Sequence, residues 1–377
     1  MTLTSLPRAD SPSVWTADAM NDDRSWVYTL EVKDAQQLAR VVRAAYEPEK
    51  SLFDYGAGDF DLAAVWPTVE RAVREAYFGR GLALVKGLPR AELNEQEFEL
   101  MSWAIGLHIG VARPQGKASQ YLSAVRDVGT TYRAATGRGF SSNASLDFHV
   151  DGADITTLAC YNVAKVGGES MVSSSGAAWN TLVDSQPEHA ERLLDTYFFS
   201  RQGEYAPDEA PAYGQPVADF ADGRLFMKWN RNRVNSAQEI AGVPSLTQEN
   251  REAVEALDST VRSPAMMFRM YLEPGDLQIM NNLDMQHSRT AYVDYEEPDR
   301  KRLLHRLWLA PPFSVRMPDT WQRFFRAVEP GAVRGGIRGH EYDDRCSAFD
   351  AKQAAAHNMV LNDYGDAHLW DGAAHKD

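Results

Sequence analysis

Apolar residues recur at helical spacing through residues 34–46 (DAQQLARVVRAAY), where Leu38, Val41, Val42 and Ala45 share one face. A second helical stripe runs through residues 61–77, with Leu62, Val65, Val69, Val73 and Tyr77, and Pro67 marks its first turn. Residues 82–86 (LALVK) read as a short buried strand closed by Gly87-Leu88-Pro89, and a third helix is expected over 95–105. Beyond about residue 142 the pattern changes. Short alternating runs at 157–161, 170–173, 225–228, 265–272, 277–280 and 303–309 are separated by Gly, Pro, Asn and Asp, which predicts strands. Helices are expected to interrupt them at 177–183, 187–195 and 247–258. Helices early and many short strands late fit an α+β protein built as a helix-decorated β-sandwich or jelly roll.

The chain divides without a linker. Residues 1–25 are polar and are expected to form a flexible arm, or one tied down only by docking. A single domain is expected over 26–345, helical over about 26–140 and strand-rich over about 141–315, with a C-terminal extension at 346–377.

Composition narrows the function. Of 377 residues, 44% are hydrophobic and 24% charged, which excludes disordered and collagen-like chains. The net charge of −14 argues against a nucleic-acid partner, because phosphate-backbone binders cluster Lys and Arg. No apolar run suggests a membrane span. The first 20 residues lack the apolar stretch of a secretory signal, and two cysteines, Cys160 and Cys346, cannot build a disulfide framework. A cytoplasmic protein is expected.

The chemistry centres on three segments. In Leu146-Asp-Phe-His149-Val-Asp151-Gly152, a strand would place His149 and Asp151 on one face, offering a nitrogen and a carboxylate oxygen to a metal. A Pro-Gly turn at 274–275 launches residues 277–280, and His287 follows. Two histidines and one carboxylate leave open positions on a metal, as in non-haem Fe(II) oxygenases. Zinc hydrolases use the same residue types, although no HExxH motif is present. A silent jelly-roll binding module is the other alternative. In Arg300-Lys-Arg302-Leu-Leu-His-Arg306-Leu-Trp308, a strand would put Arg302, Arg306 and Trp308 on one face and His305 on the other. A guanidinium fork suits a carboxylate.

The order His149-x-Asp151, Gly167-Gly168-Glu-Ser170, His287, Arg302 and Arg306 resembles the Fe(II)/2-oxoglutarate dioxygenases of the taurine dioxygenase (TauD/TfdA) type, continuously from about Phe78 to Pro312. The resemblance implies a double-stranded β-helix (jelly-roll) core with buttressing helices, and that His149, Asp151 and His287 ligate Fe(II). It implies that Arg302 and Ser170 hold the distal carboxylate of 2-oxoglutarate, Ser170 standing where relatives usually carry Thr. Arg306 would meet the near carboxylate or an acidic group of the main substrate. The interval from His287 to Arg302 is longer than in taurine dioxygenase, which implies an insertion near 292–299. The reaction would consume O2 and release succinate and CO2 while oxidising an unactivated C–H bond. With Asp151 in place, hydroxylation, desaturation or ring closure is expected rather than chlorination.

The expected substrate is a small anionic or zwitterionic molecule, an amino acid or a derivative. Asn143, Tyr121 and Asp127, which precede the metal motif, and Trp308 are the candidate substrate contacts besides Arg306. The competing reading of Asp127 is a turn residue, and that of Trp308 a core aromatic. The fold is compatible with a homo-oligomer.

Overall fold

The computed structural model describes residues 6–132 and 139–362. Its centre is a seven-stranded sheet in the order Val27–Thr29, Leu82–Lys86, Leu277–Asn281, Ile155–Asn162, Leu303–Ala310, Val111–Arg113, with Leu122–Val125 also paired to Leu303–Ala310. The first two strands are parallel and the other pairings antiparallel. A second sheet of Phe268–Met270, Ser170–Ser174 and Met285–Arg289 supplies the other layer.

Strand alternation explains how the large sheet is used. Leu303, Leu307, Leu309, Leu277 and Ile279 join the main core with the helices Val32–Ala45, Trp66–Phe78 and Glu95–Ile109. Gly106 lets the third of these helices close on the sheet, since a Cβ there would lie 2.4 Å from Leu307 Cδ1. The intervening residues Arg302, Leu304, Arg306 and Trp308 face the other way and line a cavity. That cavity also takes His287 and Arg289 from the second sheet, so it lies within the jelly roll.

The helices expected from periodicity are present, several longer than predicted: Glu95–Ile109, Ser175–Ser185 and Gln248–Val261. The strand expected at 265–272 shrinks to Phe268–Met270. Residues 147–151 do not form the regular strand expected. They run as irregular backbone fastened by isolated bridges from His149 to Asn230 and to His287.

Of the two states expected for the N-terminal segment, residues 6–25 take the docked one, while the C-terminal boundary needs correction. Trp179 Nε1 donates to Pro7 O at 2.8 Å, Asn180 bonds both backbone groups of Ala9, and Trp15 and Met20 are buried in a cluster with Trp26. Residues 1–5 lie outside the described chain. The boundary at 345/346 falls inside the helix Asp344–Ala356, which is no appendage. Its Cys346 and Phe349 belong to the main core, and its fully buried Asp350 accepts from Tyr121 Oη at 2.9 Å and pairs with Arg113 at 2.9 Å.

Candidate metal centre

The ligand atoms of His149, Asp151 and His287 all lie within 4.8 Å of one another. His149 and His287 are joined by reciprocal backbone hydrogen bonds of 3.0 Å, and their ring centroids stand 4.3 Å apart. Asp151 completes the set, 3.8 Å from His149 Nε2 and 3.7 Å from His287 Nε2. A metal ion fits this group for reasons internal to it. The His149 Nδ1 contact with Asp147 O at 2.9 Å requires an Nδ1–H, which leaves Nε2 with its lone pair towards the cluster. Asp151 Oδ2 accepts from Trp308 Nε1 at 2.8 Å and Thr156 Oγ1 at 3.2 Å, and Arg306 Nη1 lies 3.4 Å away. Oδ1 is thereby the oxygen presented to an ion.

Electrostatics agree. Burial pushes the Asp151 carboxyl up. Arg306, then His287 and His149, outweigh burial and hold it well below the usual carboxylate range. Burial, reinforced by His149, lowers His287 to about 3, so its imidazole stays neutral and able to ligate.

The site opens into a cavity of about 500 Å³. Arg302 sits at one end, 6% exposed, with its guanidinium 5.0 Å from the Tyr292 ring centre. Gly167 and Gly168 turn with φ of +77° and +76°, and a Cβ on Gly168 would come within 3.3 Å of Arg302 Nε. This turn delivers Ser170 to the same cavity, where it is bonded to Gln278 Nε2 at 3.1 Å. Burial lowers the Arg302 pKa, as expected of a cation lacking a full counter-charge. Arg306 is held by Gln115 Oε1 at 2.8 Å, while its Nη2 has no hydrogen-bond partner among the described residues.

Other expectations fare differently. Trp308 lines the cavity and bonds Asp151 directly, uniting wall and ligand support. Tyr121 is buried in the main core against Asp350, away from the cavity. Asp127 caps its own turn through Gly129 N at 2.9 Å, and Asn143 is exposed, its carbonyl accepting from Tyr292 N. Neither lines the cavity. His305 faces the opposite side of its strand, against Phe98 and Tyr161.

Besides Arg302 and Arg306 the cavity wall carries Lys165, Lys228, Arg233 and Arg289, and of these Lys165, Lys228 and Arg289 escaped the sequence reading. Arg289 had a signal, since it follows His287 by two on one strand. Its Nη2 donates to Ser142 O and Ala144 O, and burial, then Arg302, lowers it to about 10.

The model of the taurine catabolism dioxygenase TauD, TfdA family matches residues 46–308. FR-33289 synthase of Streptomyces rubellomurinus (strain ATCC 31215) is 30% identical over 301 residues, covering 79% of this chain and 88% of that protein. A uridine-5'-phosphate dioxygenase of Amycolatopsis sp is 29% identical over 175 residues, covering 45% of this chain and 62% of that protein. The structure of asparagine oxygenase in complex with Fe(II), 2S,3S-3-hydroxyasparagine and succinate superposes with a TM-score of 0.57 at 16% identity, covering 75% of this chain and 93% of that one.

Proposed function

The chain belongs to the TauD, TfdA family and is an oxidoreductase of the iron- and 2-oxoglutarate-dependent class, and from that premise we propose how its residues divide the work. His149, Asp151 and His287 hold Fe(II). Arg302, with Ser170, holds the distal carboxylate of 2-oxoglutarate, and Arg306 meets its near carboxylate. The observation that carries this reading is the His-Asp-His set, two of its members buried, opening into the same cavity as Arg302.

Bound together, the iron and 2-oxoglutarate supply the capacity to activate O2 and oxidise an unactivated C–H bond, with succinate and CO2 as products. The chain supplies position. Trp308 and Thr156 fix the Asp151 carboxylate so that one oxygen faces the ion. Arg306 brings a positive charge within reach of the same carboxylate, and its Nη2 is left without a hydrogen-bond partner among the described residues. Leu158, Leu304, Val125 and Phe140 give the wall an apolar surface that limits competing water.

The substrate is a small molecule carrying an anionic group, an amino acid or a derivative. The asparagine oxygenase fold relationship and the buried cationic wall support that class. The test is succinate release by anaerobically iron-loaded protein given 2-oxoglutarate and O2 across a panel of amino acids and phosphorylated small molecules. A compound that raises succinate several-fold above the substrate-free rate supports the reading. Failure of 2-oxoglutarate to bind the iron-loaded protein overturns it.

A further inference from the structure

Lys228 occupies an unusual position. It follows the strand Arg224–Met227, is 2% exposed, and lines the cavity. Its Nζ has no hydrogen-bond partner among the described residues. It stands 3.0 Å from the ring centre of Phe324, 4.9 Å from that of Phe325 and 5.2 Å from that of Tyr213. An aromatic box stabilises an ammonium only in part, and a buried cation normally carries a paired anion. Here the neighbouring cations Arg233 and Arg201 are ion-paired with Glu204 and Glu209, whereas Lys228 has no paired anion among the described residues. Burial, then Arg233 and Arg201, push the amine well below its ordinary range, and Asp151 is the one group among the leading contributors that opposes them. Asp151 is already committed to Trp308, Thr156 and the metal set.

Lys228 is also remote from the expected 2-oxoglutarate anchor. Phe324 packs where Gly152 and Trp308 meet, since a Cβ on Gly152 would touch both rings. Trp308 lies six residues along the strand from Arg302, roughly 20 Å of extended chain. The rings around Lys228 are none of those around Arg302. A five-carbon diacid held between Arg302 and the metal set does not also neutralise Lys228. The segment 228–230 is bound to the metal motif itself, through Val150 N to Trp229 O at 2.9 Å and the bridge from Asn230 to His149. Asn230 caps the following helix, and Asn232 and Arg233 from that turn line the same cavity.

We propose that Lys228, with Arg233 and the side-chain amides of Asn230 and Asn232, forms the subsite for an oxyanion of the main substrate, on the far side of the metal set from Arg302. This deepens the proposed function and rests on it for the identity of the anion as substrate rather than co-substrate. The shared chemistry is an oxyanion, which a phosphoryl group or a carboxylate would supply. The uridine-5'-phosphate dioxygenase relative is named for a phosphorylated molecule, which makes the phosphoryl arm worth testing beside the carboxylate.

The experiment uses the full chain loaded anaerobically with Fe(II) and 2-oxoglutarate. The visible charge-transfer absorption of that complex reports iron and 2-oxoglutarate binding independently of the new subsite. Inorganic phosphate, methylphosphonate and acetate are titrated separately at constant ionic strength and followed by calorimetry and thermal melting. Saturable binding of at least one probe to the wild type, weakened tenfold or more in K228M and K228Q with the absorption band retained, is the expected result. Preference for phosphate and methylphosphonate assigns a phosphoryl head group, and preference for acetate assigns a carboxylate. K228M should melt no lower than the wild type, because it removes a desolvated cation from an aromatic box. Wild-type protein that binds none of the probes, or variants that bind them unchanged, would overturn the subsite. So would variants that fail to fold, because Lys228 would then be a structural element. Loss of the absorption band in the wild type would instead overturn the proposed function.

Discussion

The Trp308 indole donates to Asp151 Oδ2 at 2.8 Å, so the side chain that walls the cavity also fixes the carboxylate of the metal set. A supporting hydrogen bond of this kind orients a ligand, and its loss typically costs 10- to 100-fold in metal affinity. W308F keeps an aromatic wall and removes the donor. Anaerobic Fe(II) titration should show affinity falling by about tenfold or more, with the fold intact by circular dichroism. Unchanged iron affinity would show that Thr156 and Arg306 suffice.

Arg302 is a buried cation whose pKa is lowered by burial. If it carries the distal carboxylate of 2-oxoglutarate, R302Q removes two charge-assisted hydrogen bonds. The 2-oxoglutarate dissociation constant should rise by about 100-fold, while Fe(II) affinity stays close to that of the wild type. Arg302 would be excluded as the anchor if calorimetry gave equal 2-oxoglutarate affinities.

In the proposed ligand set Asp151 takes the metal position that a halide would need. Wild-type enzyme supplied with iron, 2-oxoglutarate, substrate and chloride is expected to give oxidised product and no chlorinated product by mass spectrometry. A chlorinated product would mean that Asp151 is not a metal ligand during turnover.

His305 is buried behind the strand, where burial lowers it to about 4. Its folded pKa lies below the unfolded value of about 6.5, so the unfolded chain binds more protons between those values. Stability from neutral His305 is complete above about pH 6.5 and is lost as pH falls towards 4. The loss by pH 5 is on the order of 2 kcal/mol. H305F should show a shallower fall in urea-derived stability between pH 7 and pH 5, and a parallel slope would refute the assignment.

Arg334 and Asp154 form an ion pair with both side chains fully buried, and Tyr77 Oη joins Asp154 at 3.1 Å. D154N leaves a guanidinium without its anion. It should destabilise the fold by about 3–5 kcal/mol, measured by denaturant titration of metal-free protein, with no direct effect on 2-oxoglutarate affinity.

The sequence was most readable where one strand carries both faces. Alternation along 302–309 correctly put Arg302, Arg306 and Trp308 on one side and His305 on the other, because a period of two holds in any strand. The same rule brought His149 and Asp151 together for an incomplete reason, since bridges to Asn230 and His287 shape that segment rather than a continuous ladder. Tyr121, Asp127 and Asn143 precede the metal motif in sequence, yet none of them lines the cavity, because order along the chain does not dictate which side chains a folded wall presents. Lys228 was illegible for the opposite reason. In Leu-Phe-Met-Lys-Trp-Asn a lysine looks like the polar position of an ordinary strand. Its burial arises from Tyr213, Phe324 and Phe325, brought from distant segments. The partners that dock residues 6–25 were hidden likewise, because backbone carbonyls of a polar segment satisfy Trp179, Asn180 and Ser174 elsewhere.

Arg113 and Asp350 meet inside the main core, one on a strand of the first third and the other on the last described helix. During synthesis, the guanidinium emerges long before its carboxylate exists. Until then the nascent chain carries a lone cation at a position destined for the interior, with Tyr121 equally short of its acceptor. This part of the core therefore cannot be completed before the helix Asp344–Ala356 is in place.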